Sequence, residues 1–110
     1  MTPPAFRVFL TEDAIADIED IHAYIAARES AARADRVVDA FENLCAALAA
    51  LPERGNVPAE LRDIGITSYR EVHYKPYRVI YRIIDDRVFV TCVVDGRRDM
   101  QSLLQRRLLR

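Results

Sequence analysis

An alternating segment of β-branched and aromatic residues, YRVIYRII at positions 77–84, constrains the fold more than any other stretch. This composition and its period of two predict a strand. Asp85 and Asp86 follow as a predicted tight turn, and residues 87–94, RVFVTCVV, have the composition of a hairpin partner. Residues 68–74 predict a third strand upstream. Because the connection contains Pro76, which cannot adopt the positive φ of a primed turn, we expect a four-residue loop over 74–77.

Pairing of Ile84 with Arg87 across the turn would sort the side chains of these strands into two faces. On one face, the pairs would be Val79 with Cys92, Tyr81 with Val90, and Ile83 with Val88. The opposite face would carry Arg78, Ile80 and Arg82 beside Phe89, Thr91 and Val93. Pairing His73 with Arg78 would add Tyr69, Glu71 and His73 to that second face. The sequence therefore predicts an apolar face below and a cationic face above.

Helical periodicity accounts for most of the remaining chain. The predicted elements are a lead at residues 1–5, a strand at 6–10, a helix to about Arg28 capped by Thr11, a helix from Ser30 to about Leu51, a helical turn at 60–62, and a basic helix at 100–110 capped by Asp99. The predicted order β-α-α-β-β-β-(α) indicates an α+β two-layer sandwich, a single domain of residues 1–110 in which an antiparallel sheet packs on an α-helical hairpin.

Composition narrows the environment of the chain. About half the residues are apolar, as in ordinary globular domains. No run approaches about 18 apolar residues and no leader opens the sequence, so we expect a cytoplasmic protein with no membrane partner. Cys45 and Cys92 fall on predicted apolar faces, where buried reduced thiols are expected. We expect no metal and no cofactor.

Charge is divided unevenly along the chain. Residues 1–60 hold five Arg and eleven Asp or Glu, a net charge of −6, whereas residues 61–110 hold eleven Lys or Arg and six Asp or Glu, a net charge of +5. The basic half coincides with the predicted sheet and tail. This asymmetry suits an anionic partner, either nucleic acid or an acidic protein segment, although solvated surface charge would give the same pattern.

Several segments together resemble the RelE/ParE superfamily of toxins from type II toxin–antitoxin systems. These are YRVIY at 77–81, the turn at 85–86 and the ending VDGRRD at 94–99, with VFLT at 8–11 also fitting. The resemblance covers nearly the whole chain and implies the RelE/ParE-like fold. It also implies one of two activities: RelE-like members cut messenger RNA in the ribosomal A site without metal, whereas ParE-like members inhibit DNA gyrase and are not hydrolases.

The resemblance can be carried over to individual residues. Arg78 matches an arginine that contacts phosphate in RelE-like toxins, and Arg98 matches the arginine of the Gly-basic-Arg ending that follows their third strand. Two lysines of those nucleases fall at Tyr69 and Glu71 here, and their catalytic tyrosine falls at Leu104. Metal-free RNA cleavage needs cations for the phosphate and groups that transfer protons, and a leucine transfers none. ParE-like inhibition of gyrase is therefore favoured over catalysis.

Other interpretations stay open. A ribosome-dependent endoribonuclease could use Arg78 and Arg98 with Glu71 or His73, since some members of the superfamily use a carboxylate base. Glu71 and Arg78 could instead form a solvated cross-strand ion pair worth less than about 1 kcal/mol. A third interpretation is an inert member that has lost its toxicity and only binds its partner.

The resemblance finally implies partners and a binding surface. A cognate ParD/RelB-like antitoxin would fold an amphipathic segment along the helical hairpin or the open side of the sheet, forming a hetero-oligomer. Operator DNA would be bound only through that antitoxin. The residues expected to contact the antitoxin or the target are Tyr69, Arg78, Arg82, Arg97, Arg98, Arg106 and Arg107.

Overall fold

A computed structural model gives the architecture and describes residues 6–109; the lead expected at residues 1–5 and the last residue, 110, lie outside the described residues. The elements are β1 (Arg7–Leu10), α1 (Glu12–Arg28), α2 (Ala31–Ala47), α3 (Ala59–Arg62), β2 (Tyr69–Tyr74), β3 (Tyr77–Ile84), β4 (Arg87–Asp95) and α4 (Met100–Leu108). Every predicted element is therefore present. The second helix is shorter than expected, since α2 ends at Ala47 rather than near Leu51.

The strands form one sheet in the order β1-β4-β3-β2. Strands β2, β3 and β4 are an antiparallel meander, but β1 pairs with β4 in parallel. The α1–α2 hairpin provides the long connection that a parallel pair requires. The α+β class and the RelE/ParE-like arrangement are confirmed, with a mixed sheet in place of a wholly antiparallel one.

The helical hairpin covers one face of the sheet. Its two helices begin at the predicted caps: Thr11 Oγ1 accepts the Ala14 N–H at 3.2 Å, and Ser30 Oγ accepts the Arg33 N–H at 3.0 Å. The short link between the helices makes them antiparallel neighbours. Their buried stripes and the inner face of the sheet form the main core, which includes Ala14, Ile25, Ala34, Val37, Phe41, Leu48, Val72, Val79, Tyr81, Val88, Val90 and Val93.

A β-bulge in β4 makes part of the predicted register wrong. Pairing follows the prediction from Ile84–Arg87 to Tyr81–Val90, but Ile80 then pairs with Cys92 and Val79 with Val93. Thr91 is the extra residue. Side chains beyond it change faces, so Val93 joins the main core while Cys92 and Val94 face the other way.

Two charged side chains satisfy the backbone groups that the bulge leaves unpaired. Asp17 Oδ2 on α1 accepts the Val93 N–H at 3.0 Å, and Arg107 Nη2 on α4 donates to the Thr91 carbonyl at 3.2 Å. The same two residues form a bidentate ion pair with distances of 2.9 and 3.1 Å. The bulge is therefore tied to helices on both sides of the sheet.

The second sheet face is predicted to be open, but in the structure it carries a smaller core. Helices α3 and α4 cover its central part, and the buried residues there are Leu61, Tyr69, Ile80, Cys92, Val94, Met100, Leu103 and Leu104. Both cysteines are buried and free, as predicted. Burial raises the pKa of the Cys45 and Cys92 thiols to about 11, so both stay protonated near neutral pH.

The connection between β2 and β3 is shorter than predicted. Tyr74 pairs with Tyr77, which leaves Lys75 and Pro76 as a two-residue loop joined by a cis peptide bond. A cis proline at the third position defines the type VI turn, a class that the positive-φ argument does not cover. No helix within residues 6–109 is long and apolar enough to cross a membrane.

Tyr81 anchors the segment that follows α2. The side chain is fully buried, its hydroxyl donates to the Pro52 carbonyl at 2.6 Å, and it accepts the Gly55 N–H at 3.1 Å. Gly55 has no room for a side chain, because a Cβ there would lie 2.4 Å from the Glu71 carbonyl oxygen. The placement of Tyr81 in the core is therefore confirmed, with two hydrogen bonds that the sequence did not indicate.

We expect Tyr81→Ala to lower the free energy of unfolding by about 3–5 kcal/mol, because it deletes a core aromatic ring. Tyr81→Phe should lower it by about 1–3 kcal/mol, because it keeps the ring and leaves the Pro52 and Gly55 backbone groups unpaired. Urea unfolding followed by circular dichroism measures both values. Equal effects of the two variants would contradict the division between packing and hydrogen bonding.

Candidate partner-binding surface

Arg78, the residue predicted to contact phosphate or target, is held by carboxylates of its own chain. Its Nη1 and Nη2 donate to the two carboxylate oxygens of Glu60 at 2.9 and 2.7 Å, and its Nε donates to Glu71 Oε1. Only 14% of the Arg78 side chain is exposed. The hydrogen bonds that Arg78 donates to Glu60 and Glu71 raise the pKa of Arg78 above its usual range, and those that Glu60 accepts lower the pKa of Glu60. The guanidinium thus has little capacity left for an external anion.

Glu71 lies inside the protein and not on a wet face, so the expectation of a solvated Glu71–Arg78 pair is wrong. Its side chain is 5% exposed. Asn56 Nδ2 donates to Glu71 Oε2 at 3.1 Å, and the backbones of Asn56 and Glu71 form an antiparallel bridge. A buried carboxylate is stable only when it is paired and hydrogen-bonded, which this network provides.

His73 is the remaining member of the alternative catalytic set on this face. Its Nε2 lies 3.4 Å from Glu71 Oε1, and 46% of its side chain is exposed. The structure therefore brings Glu71, His73 and Arg78 together, as the face assignment predicted. The structure also pairs Arg78, the cation that a nuclease would use to bind phosphate, with a second carboxylate, that of Glu60.

The stem of Arg78 supports the loop that follows β4. A Cβ on Gly96 would lie 2.6 Å from Arg78 Cδ and 3.0 Å from Cγ, so this position has no room for a side chain. The Gly96 N–H also donates to the Pro76 carbonyl at 2.8 Å. Arg78 therefore helps to position the adjacent residues Arg97 and Arg98, even though its guanidinium points into an internal ion pair.

Arg97 and Arg98 are exposed at this end of the sheet. Arg97 Nη2 pairs with Asp95 Oδ2 at 2.6 Å, a contact that holds the pKa of Asp95 below its usual range. The Arg98 side chain has no ion pair within residues 6–109. Both arginines line a groove of about 440 Å³ between α1 and β4, whose other walls include Asp20, Tyr24 and Tyr77.

The two arginines of α4 have different environments. Arg106 is exposed and forms no ion pair with any described residue. Arg107 is 21% exposed in its side chain and points inward to Asp17, Asp13 and the Thr91 carbonyl. The hydrogen bonds to Asp17 raise the pKa of Arg107. Of the two, Arg106 has the more accessible charge for a partner.

Tyr69 and Arg82 are neighbours across β2 and β3. Tyr69 is 8% exposed, and the Arg82 guanidinium lies over its ring, 5.3 Å from the centroid. Both line a second groove, of about 330 Å³, together with Phe89, Thr91 and Arg107. The predicted contact residues thus fall into separate places: Arg78 in an internal cluster, Arg97 and Arg98 at one groove, Tyr69, Arg82 and Arg107 at another, and Arg106 on α4 outside both grooves.

Sequence reasoning missed Glu60, Asn56 and Asp17. From the sequence, Glu60 is placed on a predicted helical turn without a role, and no role is assigned to Asn56 or Asp17. Their contacts join residues 15 to 90 positions apart. Helical periodicity gives no information on contacts between residues so far apart in the sequence. Gly55 and Glu60 were the sequence features that could have indicated a closely packed segment.

We expect the contribution of Glu60 to stability to depend on pH. Because Arg78 lowers the pKa of Glu60 from its ordinary value of 4.5, this contribution is complete above that value and is lost as the pH falls through the folded-state pKa. Glu60→Gln should destabilise the protein by about 1–2 kcal/mol at pH 7. The difference from the unmodified protein should shrink steadily below pH 4.5.

Urea unfolding at pH 7 and in acid measures this dependence. Glu53→Gln is a suitable control, since Glu53 is exposed and its side chain has no ion pair among the described residues. A Glu60→Gln difference that stays constant down to acid pH would show that the Glu60–Arg78 pair adds nothing to stability.

Known proteins share the sequence pattern and the fold of this chain. Residues 8–100 match the family model described as the ParE toxin of the type II toxin–antitoxin system, parDE. A chain in a structure described as the chromosomal ParDE TA system from P. aeruginosa superposes with a TM-score of 0.70 at 14% identity, covering 83% of this chain and 96% of that one. That likeness is evidence of the fold alone. Among curated proteins, no significant match is found. Because the family model spans most of the sequence, this chain belongs to the family of ParE toxins of type II toxin–antitoxin systems.

Proposed function

We propose that this toxin inhibits DNA gyrase and is neutralised by a cognate ParD-like antitoxin. Membership of the ParE family supports the target, since ParE-like members of the superfamily act on gyrase rather than on messenger RNA. A gyrase inhibitor of this kind acts in the cytoplasm, in agreement with the location expected from the sequence. It needs neither a metal nor a cofactor, because it binds its target and performs no hydrolysis.

The closed state of Arg78 is the observation that carries the proposal. A nuclease needs a cation free to stabilise the phosphate in the transition state. Arg78 is instead bound by Glu60 and Glu71, and the two carboxylates add negative charge where a phosphate would have to sit. Leu104, at the position of the nuclease tyrosine, is fully buried. These features support a protein that binds its target over one that cleaves RNA.

The exposed arginines supply a surface for that binding. Arg97 and Arg98 are exposed in the segment between β4 and α4, and Arg106 is exposed on α4 itself. Exposed cations at a contact accelerate encounter and help to select the partner. We infer that these arginines contact gyrase, while the antitoxin forms a hetero-oligomer with the toxin and alone contacts operator DNA.

We expect Arg98→Ala to weaken gyrase inhibition by about tenfold while leaving the melting temperature unchanged, because its side chain is exposed and forms no ion pair within residues 6–109. Arg106→Ala should act in the same direction. The measurement is the concentration of toxin that halves supercoiling of relaxed plasmid by purified gyrase. Deleting α4 is not an equivalent test, because Met100, Leu103 and Leu104 belong to the second core.

Arg62→Ala provides the control, since Arg62 is an exposed arginine on α3 outside both grooves. Full inhibition by Arg98→Ala and Arg106→Ala together would remove these residues from the target contact. Absence of inhibition by the unmodified toxin, with normal growth when it is expressed without antitoxin, would favour the inert member considered from the sequence.

A second candidate function is the ribosome-dependent endoribonuclease. It is favoured by one observation, the 3.4 Å approach of His73 Nε2 to Glu71 Oε1 beside Arg78. A carboxylate with a partly exposed histidine can transfer protons in RNA cleavage. In this alternative Arg98 would serve as the free phosphate contact, because Arg78 is already neutralised.

We expect no cleavage of translated messages by the toxin, since the cluster lacks a free cation for the phosphate. Primer extension on messages from expressing cells measures this. If cleavage does occur, His73→Gln tests the proposed catalytic group without changing a buried charge. A folded His73→Gln variant that no longer cleaves would support proton transfer by His73. A variant that still cleaves would exclude His73 from that role.

A further inference from the structure

A row of aromatic and cationic side chains crosses the whole sheet on the α4 side. Strand pairing places Phe9 of β1 beside Phe89 of β4, Phe89 beside Arg82 of β3, and Arg82 beside Tyr69 of β2. The rings of Phe9 and Phe89 are stacked with centroids 5.5 Å apart, and Arg82 lies over Tyr69. We call these four residues the cross-sheet row.

Tyr69, Arg82 and Phe89 of the cross-sheet row line the groove of about 330 Å³, and Phe9 lies next to it, stacked on Phe89. Helix α4 covers the adjacent central part of the sheet and contributes Arg107 and Leu108 to the lining of the groove, which also includes Ile84. Phe9 is 36% exposed and Ile84 is 42% exposed, so apolar surface remains accessible beside the row. Exposed apolar surface next to charged side chains is typical of a protein interaction site.

Arg82 is the residue in the row whose bonding is incomplete. Its Nε is buried and has no hydrogen-bond partner within residues 6–109. No described carboxylate forms an ion pair with it, in contrast to Arg78 and Arg107. A buried donor without a partner is costly, and an arginine fork pairs best with a carboxylate.

Positive charge extends along the row from Arg82 to the edge strand. Arg7 lies over the Phe9 ring, 5.3 Å from its centroid, and Arg107 lines the groove with Asp13 as one of its acidic partners. The surface therefore offers stacked aromatic rings with guanidinium groups on both sides. The matching ligand is a peptide segment with alternating apolar and acidic side chains.

We propose that the cross-sheet row receives an acidic amphipathic segment of the antitoxin, with one carboxylate bound to Arg82 and apolar side chains on Phe9 and Phe89. This inference rests on the proposed function, because it assigns a part of the antitoxin to a part of this surface. The segment crosses the four strands, as the row does, and fills the groove beside α4. Gyrase then contacts Arg97, Arg98 and Arg106, none of which lines this groove.

The test uses the full toxin and the antitoxin encoded beside it, with affinity measured by calorimetry and gyrase inhibition measured in parallel. Arg82→Gln should weaken antitoxin binding by about 30-fold or more, the effect expected from truncating one member of a desolvated charge pair. Gyrase inhibition should stay unchanged. Arg62→Gln, with the same change of charge on the exposed α3, should alter neither measurement.

A second pair of variants avoids any dependence on Arg82 for folding. Ile84→Glu places a competing carboxylate at the rim of the groove, and Ile64→Glu makes the same change at an equally exposed isoleucine, since both are 42% exposed. We expect Ile84→Glu to weaken antitoxin binding by about tenfold, because its carboxylate can pair with Arg82 in the free toxin, and Ile64→Glu to have no effect.

A double-mutant cycle identifies the paired acid. One Asp→Asn or Glu→Gln change in the antitoxin should weaken binding as much as Arg82→Gln does, and the combination should add little further loss. Unchanged antitoxin affinity in both Arg82→Gln and Ile84→Glu would overturn the inference while leaving the proposed function intact. Loss of gyrase inhibition with intact antitoxin binding would assign the row to gyrase and would also overturn it.

Two further outcomes concern the proposed function itself. If the unmodified toxin fails to bind the antitoxin, neutralisation and the row's assignment are both wrong. If the toxin binds the antitoxin but does not inhibit gyrase, the target is wrong and the assignment of the row is still decided by the Arg82 and Ile84 variants.

Discussion

The bulge at Thr91 and the Asp17–Arg107 pair that stabilises it set the layering of this protein. Without the extra residue, β4 would keep one alternation along its length, and Val93 would face away from the helical hairpin. With the extra residue, β4 contributes Val88, Val90 and Val93 to the core under the helical hairpin, and Cys92 and Val94 to the core on the other face. Asp17 and Arg107 complete the hydrogen bonds of the bulge from opposite sides of the sheet. The same interaction therefore holds α1, the sheet and α4 in a fixed arrangement.

Much of the fold could be predicted because its signals are local. Thr11 and Ser30 cap helices by bonding to residues three positions away, and the Ile84–Arg87 pair follows from a two-residue turn. The bulge could not be predicted, because residues 92–94 are all apolar and fit either face. The groups that specify it are 76 and 90 positions from their partners. The prediction of the register was wrong at residues 92–94, where every residue is apolar and the alternation no longer distinguishes the two faces. Long-range hydrogen bonds determine the register there.

The site shows the same division between residue type and bonding partner. Placing Glu71, His73 and Arg78 on one face required only the period of a strand, and the structure brings them together. Whether Arg78 can bind an external anion depends on Glu60, which lies 18 residues away in the sequence on a four-residue helix. A sequence shows that an arginine is present but does not show which carboxylate neutralises it.

The state of each arginine therefore separates structural from binding roles. Arg78 and Arg107 are mostly buried and paired with carboxylates of other elements, so their charge is already neutralised within the fold. Arg98 is exposed without an ion pair within residues 6–109, and Arg82 has a buried donor left unbonded. Water stabilises an exposed cation. A partly buried cation is stabilised most by a carboxylate whose neighbouring apolar side chains exclude water from the ion pair. Arg98 thus suits the reversible contact proposed with gyrase, and Arg82 suits the peptide contact proposed with the antitoxin. The two proposed contacts use different surfaces of one small domain.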